Sequence, residues 1–297
     1  MLANDKKNNS MTASDCVSKV FMKSILITGC SSGIGLCAAT ILKERGYRVF
    51  ATARKPGDLE RLKAQGLNEI QLDVNDSNSI QNALNEVLQQ TGGTLDALFN
   101  NAGFLQAGAV EDITRDMMRE QFETNVFGAM ELTRLVLPIM RKQGHGRIVQ
   151  NSSILGVVAM PYYGAYNASK FALEGFSNTL RQELRGTNIH VSIINPGPIT
   201  SNLRNNAFTI YKQTLANHHN SAYNHVYAQL EEFYFNPTER DKKIAQGPYA
   251  VAKKLIHALE SPRPKAHYFI GFPAQLLAFL RRILPDKTMD FLLSKIR

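Results

Sequence analysis

The sequence Ser-Ile-Leu-Ile-Thr-Gly-Cys-Ser-Ser-Gly-Ile-Gly occupies residues 24–35, where a short apolar run leads into a turn with three glycines. The apolar run predicts a strand over Ser24–Gly29, and the residues after the turn predict a helix over Gly35–Arg45. Glycine lets a backbone approach a bound pyrophosphate closely, and a helix N-terminus offers free N–H groups and the positive end of a dipole. The spacing Gly-x-x-x-Gly-x-Gly differs from the common Gly-x-Gly-x-x-Gly pattern. Because the turn stands at a strand-to-helix junction, it predicts a phosphate-binding site in an α/β fold.

The alternation of strand and helix continues along the chain. Short runs rich in valine, isoleucine and phenylalanine lack polar alternation, which is typical of strands buried on both faces of a parallel sheet. They predict six further strands, over Tyr47–Ala53, Glu69–Asp73, Leu95–Asn100, Arg147–Asn151, Ile189–Asn195 and His267–Gly271. Helical patterns lie between them, over Ser77–Gln90, Arg115–Gln143 and Tyr166–Arg185. We therefore expect one α/β domain over residues 23–297, built on a doubly wound (Rossmann), mostly parallel seven-stranded sheet.

Length and composition agree with this expectation. A chain of 297 residues suits one large α/β domain, and a hydrophobic content of 44% is enough for a sizeable core. Residues 1–22 are polar and lack the apolar stretch of a signal peptide, so they predict a disordered tail. No apolar run reaches the roughly 18 residues of a membrane-spanning helix. The three cysteines show neither a disulfide pattern nor metal-ligand spacing, which predicts a cytoplasmic protein without a metal site.

The formal net charge of +9 is concentrated near the C-terminus. Residues 241–297 hold eleven lysines and arginines against four acidic residues. No nucleic-acid motif accompanies this charge, so we expect solvated surface charge rather than a nucleic-acid partner. Residues 272–297 form a predicted helical extension, whose residues 274–284 are basic and amphipathic. We expect it to close over a pocket or to join subunits, and peripheral membrane contact is the alternative interpretation.

Tyr166 and Lys170 are four residues apart in a helix-forming stretch and therefore share one helix face. A lysine ammonium beside a phenol favours the phenolate, which predicts a pKa for Tyr166 below the usual value of about 10. Such a tyrosine can act as a general acid or base. Ser153 lies thirteen residues earlier. A Tyr-x-x-x-Lys pattern also occurs on helices by chance, so the remaining motifs decide its meaning.

The end of the second predicted strand bears on the choice of nucleotide. A ribose 2′-hydroxyl calls for an acidic residue about 20 positions after the glycines, but Ala53 and Arg54 stand there. The donor fork of arginine suits a 2′-phosphate, which predicts NADP(H) as cofactor. An exposed arginine without a role is the alternative. Asp73 ends the third predicted strand, where its carboxylate either accepts a hydrogen bond from an adenine amino group or caps the next helix.

Further polar motifs follow the later strands. Asn-Asn-Ala-Gly at residues 100–103 ends the fourth strand, and Asn-Pro-Gly-Pro-Ile at residues 195–199 ends the sixth. Asn125 lies inside a helical pattern, where asparagine is unfavourable, and this predicts a kink with a bound water. A tolerated polar residue without a role is the alternative. Ligands of open α/β sheets bind along the carboxyl edge of the strands, where these motifs are expected to meet.

In the order and spacing of these motifs the chain resembles the short-chain dehydrogenase/reductase superfamily. The motifs are the glycine turn, residues 100–103, Asn125, Ser153, the Tyr166/Lys170 pair and Pro196-Gly197, and the resemblance is densest over residues 23–201. Within the superfamily the chain looks like the branch of 17β-hydroxysteroid and retinol dehydrogenases and related bacterial oxidoreductases. Ser201 stands where the family often has threonine, which keeps the hydroxyl.

The resemblance implies a role for each matching residue. Tyr166 would be the catalytic acid/base, Lys170 would bind the nicotinamide ribose, Ser153 would bind the substrate carbonyl, and Asn125 would hold a water in a proton relay. The other residues would contact the cofactor. The pyrophosphate would be bound by Gly29, Ser31, Ser32, Gly33, Ile34 and Gly35, with Ser32 and Arg54 near the 2′-phosphate. The adenine would lie between Asp73 and Val74, the adenosine ribose would contact Asn101, Ala102 and Gly103, and the nicotinamide would contact Pro196, Gly197 and Ile199.

These roles imply hydride transfer between a nicotinamide and a carbonyl or secondary alcohol, with NADP(H) favouring reduction. Residues 201–240 interrupt the alternation of strand and helix and are rich in aromatic residues, which predicts a substrate lid and a lipophilic substrate. An ordinary packed helix pair is the alternative. A dinucleotide-binding regulator without chemistry and a membrane-associated lipid ketone reductase are the alternative functions. The family also implies a homo-oligomer, a dimer or tetramer, paired through the helices over Arg115–Gln143 and Tyr166–Arg185.

Overall fold

The computed structural model describes residues 23–215, 221–235 and 243–295, so the predicted tail at residues 1–22 lies outside the described residues. Seven strands form one sheet: β1 (Ser24–Ile27), β2 (Arg48–Ala53), β3 (Asn68–Gln71), β4 (Ala97–Asn100), β5 (Gly146–Asn151), β6 (Ile189–Pro196) and β7 (His267–Ile270). Their order is β3-β2-β1-β4-β5-β6-β7, and every neighbouring pair is parallel. The predicted single doubly wound domain is confirmed, and its sheet is parallel throughout rather than mostly parallel.

Helices connect the strands and cover both faces of the sheet. Their bounds are α1 (Gly33–Glu44), α2 (Pro56–Ala64), α3 (Ser77–Thr91), α4 (Arg115–Phe122), α5 (Gly128–Gln143), α6 (Gly164–Glu183), α7 (Leu203–Thr214), α8 (Asn224–Phe235), α9 (Pro248–Glu260), α10 (Phe272–Ile283) and α11 (Asp286–Ser294). No pattern in the sequence predicted α2 or α9. A short 3₁₀ helix over Ile154–Gly156 follows β5.

The core consists of two apolar layers, one on each face of the sheet. Successive strand residues point to opposite faces. Ile25 therefore packs with Leu42 of α1 and Leu255 of α9, whereas Leu26 packs in the second layer with Val136 of α5. All four strand positions of β1 are buried, which explains why its sequence is apolar without alternation.

The last two helices form a separate small core beside the sheet. Ala274 and Leu277 of α10 and Met289 of α11 pack on Ile154 and Val158, which follow β5 in the chain. The inner face of the predicted C-terminal extension therefore closes over the segment after Ser153.

The helix predicted over Arg115–Gln143 is divided in two. A π-helical turn over Glu123–Phe127 separates α4 from α5 and contains the buried Asn125. The distortion predicted from a mid-helix asparagine is confirmed, because a π turn inserts one extra residue into the helical path.

None of the helices in the described part of the chain is both long and apolar enough to cross a bilayer. Cys30 is buried, and burial raises the pKa of its thiol to about 12. This agrees with a packing role for Cys30 rather than a reactive one. Cys16 lies outside the described residues.

Candidate active site

The predicted site residues meet along the carboxyl edge of the sheet. The glycine turn follows β1, residues 101–103 follow β4, Ser153 follows β5, and the Pro196-Gly197 turn ends β6. These four strands are consecutive neighbours in the sheet. The chain reverses its direction of winding between β1 and β4, and this is where an open α/β sheet leaves a crevice for a ligand.

The glycine turn is packed too closely for side chains. Gly29 and Gly33 have positive φ angles of 71° and 60°. A Cβ atom on Gly29 would lie 2.9 Å from Ala102 Cα, and one on Gly35 would lie 2.3 Å from the carbonyl oxygen of Gly29. Ser32 caps α1 in an extended conformation without a side-chain capping bond, and the first turn of α1 carries no acidic residue. The N-terminus of α1 can therefore offer its N–H groups and dipole to an anion.

A chain of hydrogen bonds fixes this turn against the neighbouring strand ends. Thr28 Oγ1 accepts hydrogen bonds from the backbone N–H groups of Asn101 and Ala102, both at 2.9 Å. Asn101 Nδ2 donates to the carbonyl oxygens of Thr28 and Gly29, and Asn151 Nδ2 donates to Asn101 Oδ1 at 2.9 Å. The side chain of Asn101 thus holds the ends of β1, β4 and β5 together by hydrogen bonds. Its predicted contact with a ribose stays a prediction.

Arg54 is exposed and directly follows β2, the strand beside β1. Within residues 23–215, 221–235 and 243–295, no carboxylate forms an ion pair with it. Its side chain is therefore available next to the glycine turn, as a 2′-phosphate ligand requires.

Asp73 lies two residues past the end of β3, because that strand ends at Gln71 rather than at Asp73 as predicted. Its carboxylate accepts a hydrogen bond from the backbone of Asn75. The alternative that Asp73 caps the next helix is wrong, since Asp76 is the N-cap of α3. Val74 is buried and its carbonyl lies against Gly128, where a Cβ atom would be only 2.2 Å away.

Tyr166, Lys170 and Ser153 are brought together by α6 and the end of β5, and all three are buried. Ser153 caps the 3₁₀ helix, and its Oγ accepts a hydrogen bond from the backbone of Leu155 at 3.1 Å. Lys170 Nζ lies 5.6 Å from the centre of the Tyr166 ring and donates a 2.8 Å hydrogen bond to the carbonyl oxygen of Asn151. The lysine thereby connects α6, the helix of the predicted catalytic pair, to Asn151 and so to the hydrogen bonds behind the glycine turn.

The pKa predicted for Tyr166 is wrong in direction. Burial raises the pKa of its phenol to about 12, and interaction with the Ser153 hydroxyl offsets only part of the rise. The Lys170 ammonium bonds to the Asn151 carbonyl instead of the phenol, so it does not outweigh this burial. Burial also lowers the pKa of Lys170 to about 8, against the opposing charge of Glu174. Near neutral pH, Tyr166 therefore keeps its proton and can donate it.

Asn125 makes three hydrogen bonds from the π turn. Its Oδ1 accepts from the Phe104 N–H at 3.0 Å, and its Nδ2 donates to the Phe104 carbonyl at 3.0 Å and to Ser169 Oγ at 3.1 Å. A Cβ atom on Gly103 would lie 3.0 Å from Asn125 Oδ1 and 3.8 Å from Lys170 Nζ. Asn125 thus holds the loop after β4 against the catalytic helix, and the water predicted for it stays a prediction.

The loop after β6 closes the crevice from the other side. Pro196 is buried, and the Gly197 N–H donates to the Ile270 carbonyl at 3.0 Å. Ile199 pairs with Gln246, and Ser201 reaches the glycine turn, where a Cβ atom on Gly33 would lie 3.3 Å from Ser201 Cβ. One short loop therefore spans from the predicted nicotinamide side to the predicted pyrophosphate side.

Part of the predicted lid forms an apolar wall next to the catalytic helix. Tyr211 of α7, Leu215 directly after α7 and Tyr227 of α8 are buried and pack with Tyr162, which precedes Tyr166 by four residues. Asp112 fixes this wall, because it accepts hydrogen bonds from the hydroxyls of Tyr227 and Ser221. Residues 216–220 and 236–240 of the predicted lid lie outside the described residues.

Glu174 is a buried acid to which no sequence motif assigned a role. It lies one helical turn after Lys170, accepts a hydrogen bond from Asn195 Nδ2, and has His267 Nδ1 at 3.6 Å. Burial raises the pKa of its carboxyl. Its four-residue spacing from Lys170 was visible in the sequence, whereas its contacts with β6 and β7 follow from the strand order.

The residues present fit a nicotinamide dinucleotide. The glycine turn is a cradle that side chains would fill, the N-terminus of α1 faces it, and Arg54 is exposed at the end of β2, the strand beside β1. Asn151 Oδ1 is a buried acceptor without a hydrogen-bond partner among the described residues, and it lies beside Lys170 and Asn101. No cluster of metal-ligating side chains occurs in the part of the chain that the structure describes.

Comparisons with known proteins agree with this geometry. A family model described as short chain dehydrogenase matches residues 23–211. The chain is 39% identical to the uncharacterised oxidoreductase YbbO of Escherichia coli strain K12, over 93% of this chain and 96% of that protein. It is 34% identical to retinol dehydrogenase 8 of Bos taurus, over 82% of this chain and 79% of that protein. A solved actinorhodin polyketide ketoreductase variant with NADPH is 26% identical with a TM-score of 0.68, over 84% of this chain and 95% of that one. Solved structures with this fold include complexes with NAD as well as with NADPH.

Proposed function

The chain belongs to the short-chain dehydrogenase family, and we propose that this oxidoreductase uses NADP(H) to reduce lipophilic ketones or aldehydes, or to oxidise the matching alcohols. The observation that carries the proposal is the meeting of Tyr166, Ser153 and Lys170 beside the glycine turn. Lys170 and the turn are joined by hydrogen bonds through Asn151 and Asn101, so acid/base and nucleotide-binding groups form one continuous site.

The side chains divide the work of carbonyl reduction between them. A bound nicotinamide dinucleotide supplies the hydride that the carbonyl carbon receives. Tyr166 donates its proton to the carbonyl oxygen, and its raised pKa ensures that the proton is present near neutral pH. The Ser153 hydroxyl stabilises the developing oxyanion. The Lys170 ammonium favours negative charge in the same region.

Two features support the finer parts of the proposal. The exposed Arg54 after β2, without an acidic partner among the described residues, supports NADP(H) over NAD(H). The wall of Tyr211, Leu215 and Tyr227 supports a lipophilic substrate of steroid, retinoid or lipid type, in line with the alcohol named for retinol dehydrogenase 8. Use of NADP(H) in a cytoplasmic setting favours reduction as the working direction, and a protonated Tyr166 holds the proton that reduction needs.

The setting of the enzyme is part of the same proposal. Cys30 and Cys37 are both free, which supports a cytoplasmic location.

Phe127 and Phe171 lie on the helical layer that was predicted to pair between subunits, and they are 49% and 42% exposed. We therefore expect a homo-oligomer formed through this layer.

The test is NADPH consumption by Tyr166→Phe with a panel of apolar ketones and aldehydes. Because the phenol supplies the proton, we expect kcat to fall by roughly 10²–10⁴-fold while NADPH binding persists. Tyr249→Phe, at an exposed tyrosine of α9, is the matched control and should behave like the wild type. Full reductase activity in Tyr166→Phe would show that the proton comes from another group.

A further inference from the structure

One face of α10 carries four large apolar side chains in contact with solvent. Phe272, Leu276, Phe279 and Ile283, here called the apolar stripe, are 72%, 40%, 59% and 58% exposed. Their spacing of four, three and four residues aligns them on one side of the helix. Contiguous exposed apolar surface of this kind marks an interaction site rather than ordinary solvent-facing surface.

The stripe points outward because the opposite side of α10 is fixed in the fold. Ala274, Leu277 and Ala278 are buried against the segment that follows Ser153. The expectation that α10 closes over this part of the molecule thus accounts for its inner face only. The outer face needs a different partner.

Basic groups border the stripe. Arg282 is exposed next to Ile283, at the C-terminal end of α10. At the other end, Phe272 lines a cavity of about 320 Å³ together with Lys253 and Lys254 of α9. The remaining lining residues are Gln246, Ala250, Phe269, Ile270, Gly271 and Gln275, so this cavity contains no carboxylate. Cations beside an exposed apolar face are complementary to a surface that is apolar within and anionic at its boundary.

We propose that the apolar stripe docks on an anionic lipid bilayer, with Lys253 and Lys254 facing the phosphate groups of the lipids. The phenylalanines would enter the interfacial layer, and the lysines would remain at headgroup level because their stems are apolar and their ends charged. The exposed Tyr249, one helical turn before Lys253, suits the same layer.

The basic border argues against a second copy of the chain as the occupant. A two-fold pairing would bring the same patch of each subunit together and set Lys253, Lys254 and Arg282 of one copy near those of the other. Like charges brought together in this way oppose association, whereas an anionic membrane neutralises them.

The position of the stripe links this surface to the site. α10 starts at the carboxyl edge of β7, and its inner face contacts the segment after Ser153. If the proposed function holds, a bilayer docked here lies beside the edge at which a lipophilic substrate reacts. Membrane binding itself is independent of turnover, so the two proposals can fail separately.

The experiment is flotation of the full chain with vesicles of phosphatidylcholine, with and without phosphatidylglycerol. We expect the wild type to float with anionic vesicles and to be released as salt rises. Phe272→Ser combined with Phe279→Ser should lower partitioning at least about tenfold. Val110→Ser, at an exposed valine between β4 and α4, is the apolar control and should float like the wild type.

Charge reversal tests the contribution of Lys253 and Lys254 to vesicle binding separately from that of the apolar stripe. Lys253→Glu combined with Lys254→Glu should lower partitioning to anionic vesicles by more than about tenfold. Arg141→Glu combined with Lys142→Glu makes the same charge change at the end of α5, at the amino edge of the sheet, and should have little effect. Thermal unfolding of each variant, followed by circular dichroism, verifies that it is folded.

Three outcomes would overturn the proposal. The first is a wild type that stays unbound with anionic vesicles, and the second is a folded Phe272→Ser/Phe279→Ser variant that floats as well as the wild type. The third is an oligomer in light scattering that this variant reduces to smaller species, which would assign the stripe to contacts between copies.

Discussion

Tyr166 and Lys170 are both buried, and burial moves their pKa values in opposite directions. The phenol rises to about 12 and the ammonium falls to about 8, because in each case burial disfavours the charged form. Below pH 8, Tyr166 holds its proton and Lys170 holds its charge. This combination suits proton donation to a carbonyl oxygen next to a fixed positive charge.

We predict that kcat/KM for carbonyl reduction is flat from pH 6 to about 7 and falls as the pH rises through about 8. The fall follows from deprotonation of Lys170, since Tyr166 stays protonated far above this range. In Lys170→Arg the side chain remains charged, so the descending limb should move to higher pH even if the rate is lower. The measurement is the pH profile of kcat/KM with NADPH.

Lys253→Arg is the control for this profile, because it makes the same exchange at an exposed site. Its kcat/KM should fall near pH 8, as in the wild type. If kcat/KM of Lys170→Arg also still fell near pH 8, the titration would belong to another group.

At the scale of elements, the π turn decides where Asn125 points. An unbroken helix from Arg115 to Gln143 would not accommodate the extra residue of this turn. With it, the asparagine pairs with both backbone groups of Phe104 and reaches Ser169, the neighbour of Lys170. A helical distortion thereby fixes the loop after β4.

We predict that Asn125→Ala lowers the free energy of unfolding by about 1–3 kcal/mol, because it removes the acceptor of the partly buried Phe104 N–H, whereas the Phe104 carbonyl keeps its hydrogen bond from Gln121 Nε2. It should also lower kcat, since the loop and Ser169 both adjoin Lys170. Denaturant unfolding and steady-state kinetics measure the two effects. Asn85→Ala, at an exposed asparagine of α3, should change stability by less than about 0.5 kcal/mol. Wild-type stability and kcat in Asn125→Ala would show that these bonds are dispensable.

The strands and the catalytic helix were predictable because their signals are local. The apolar runs of β1 and β6 are buried on both faces, and Tyr166 and Lys170 are neighbours on one helix by spacing alone. The distortion at Asn125 was predictable for the same reason.

Other features depend on which elements become neighbours. The hydrogen bonds that join Thr28, Asn101 and Asn151 form only because β1, β4 and β5 are adjacent in the sheet. No local sequence pattern encodes that strand order. The pKa of Tyr166 was predicted in the wrong direction because a nearby charge is visible in the sequence, whereas burial is a property of the folded chain.

At the scale of the whole molecule, the proposed nucleotide site joins both halves of the sheet. It would take the glycine turn from β1, Arg54 from β2, Asn101 from β4, and the Pro196–Ser201 loop from β6. A ligand that touches all of these loops binds the folded chain and not the unfolded one. Its binding free energy therefore adds to the stability of the fold.

We predict that NADPH at about one hundred times its Kd stabilises the protein by about 2.7 kcal/mol. This corresponds to a rise in Tm on the order of 5 °C for a chain of this size.

If Arg54 binds the 2′-phosphate, Arg54→Asp should weaken NADPH binding roughly tenfold to hundredfold. The rise in Tm that NADPH causes should then be smaller in this variant at the same NADPH concentration. The shift caused by NADH should not shrink, because NADH lacks that phosphate. Arg61→Asp makes the same charge change at an exposed position on α2 and should keep the wild-type preference. Equal NADPH shifts in Arg54→Asp and Arg61→Asp would remove Arg54 from the site, whatever their turnover, because thermal unfolding reports binding without chemistry.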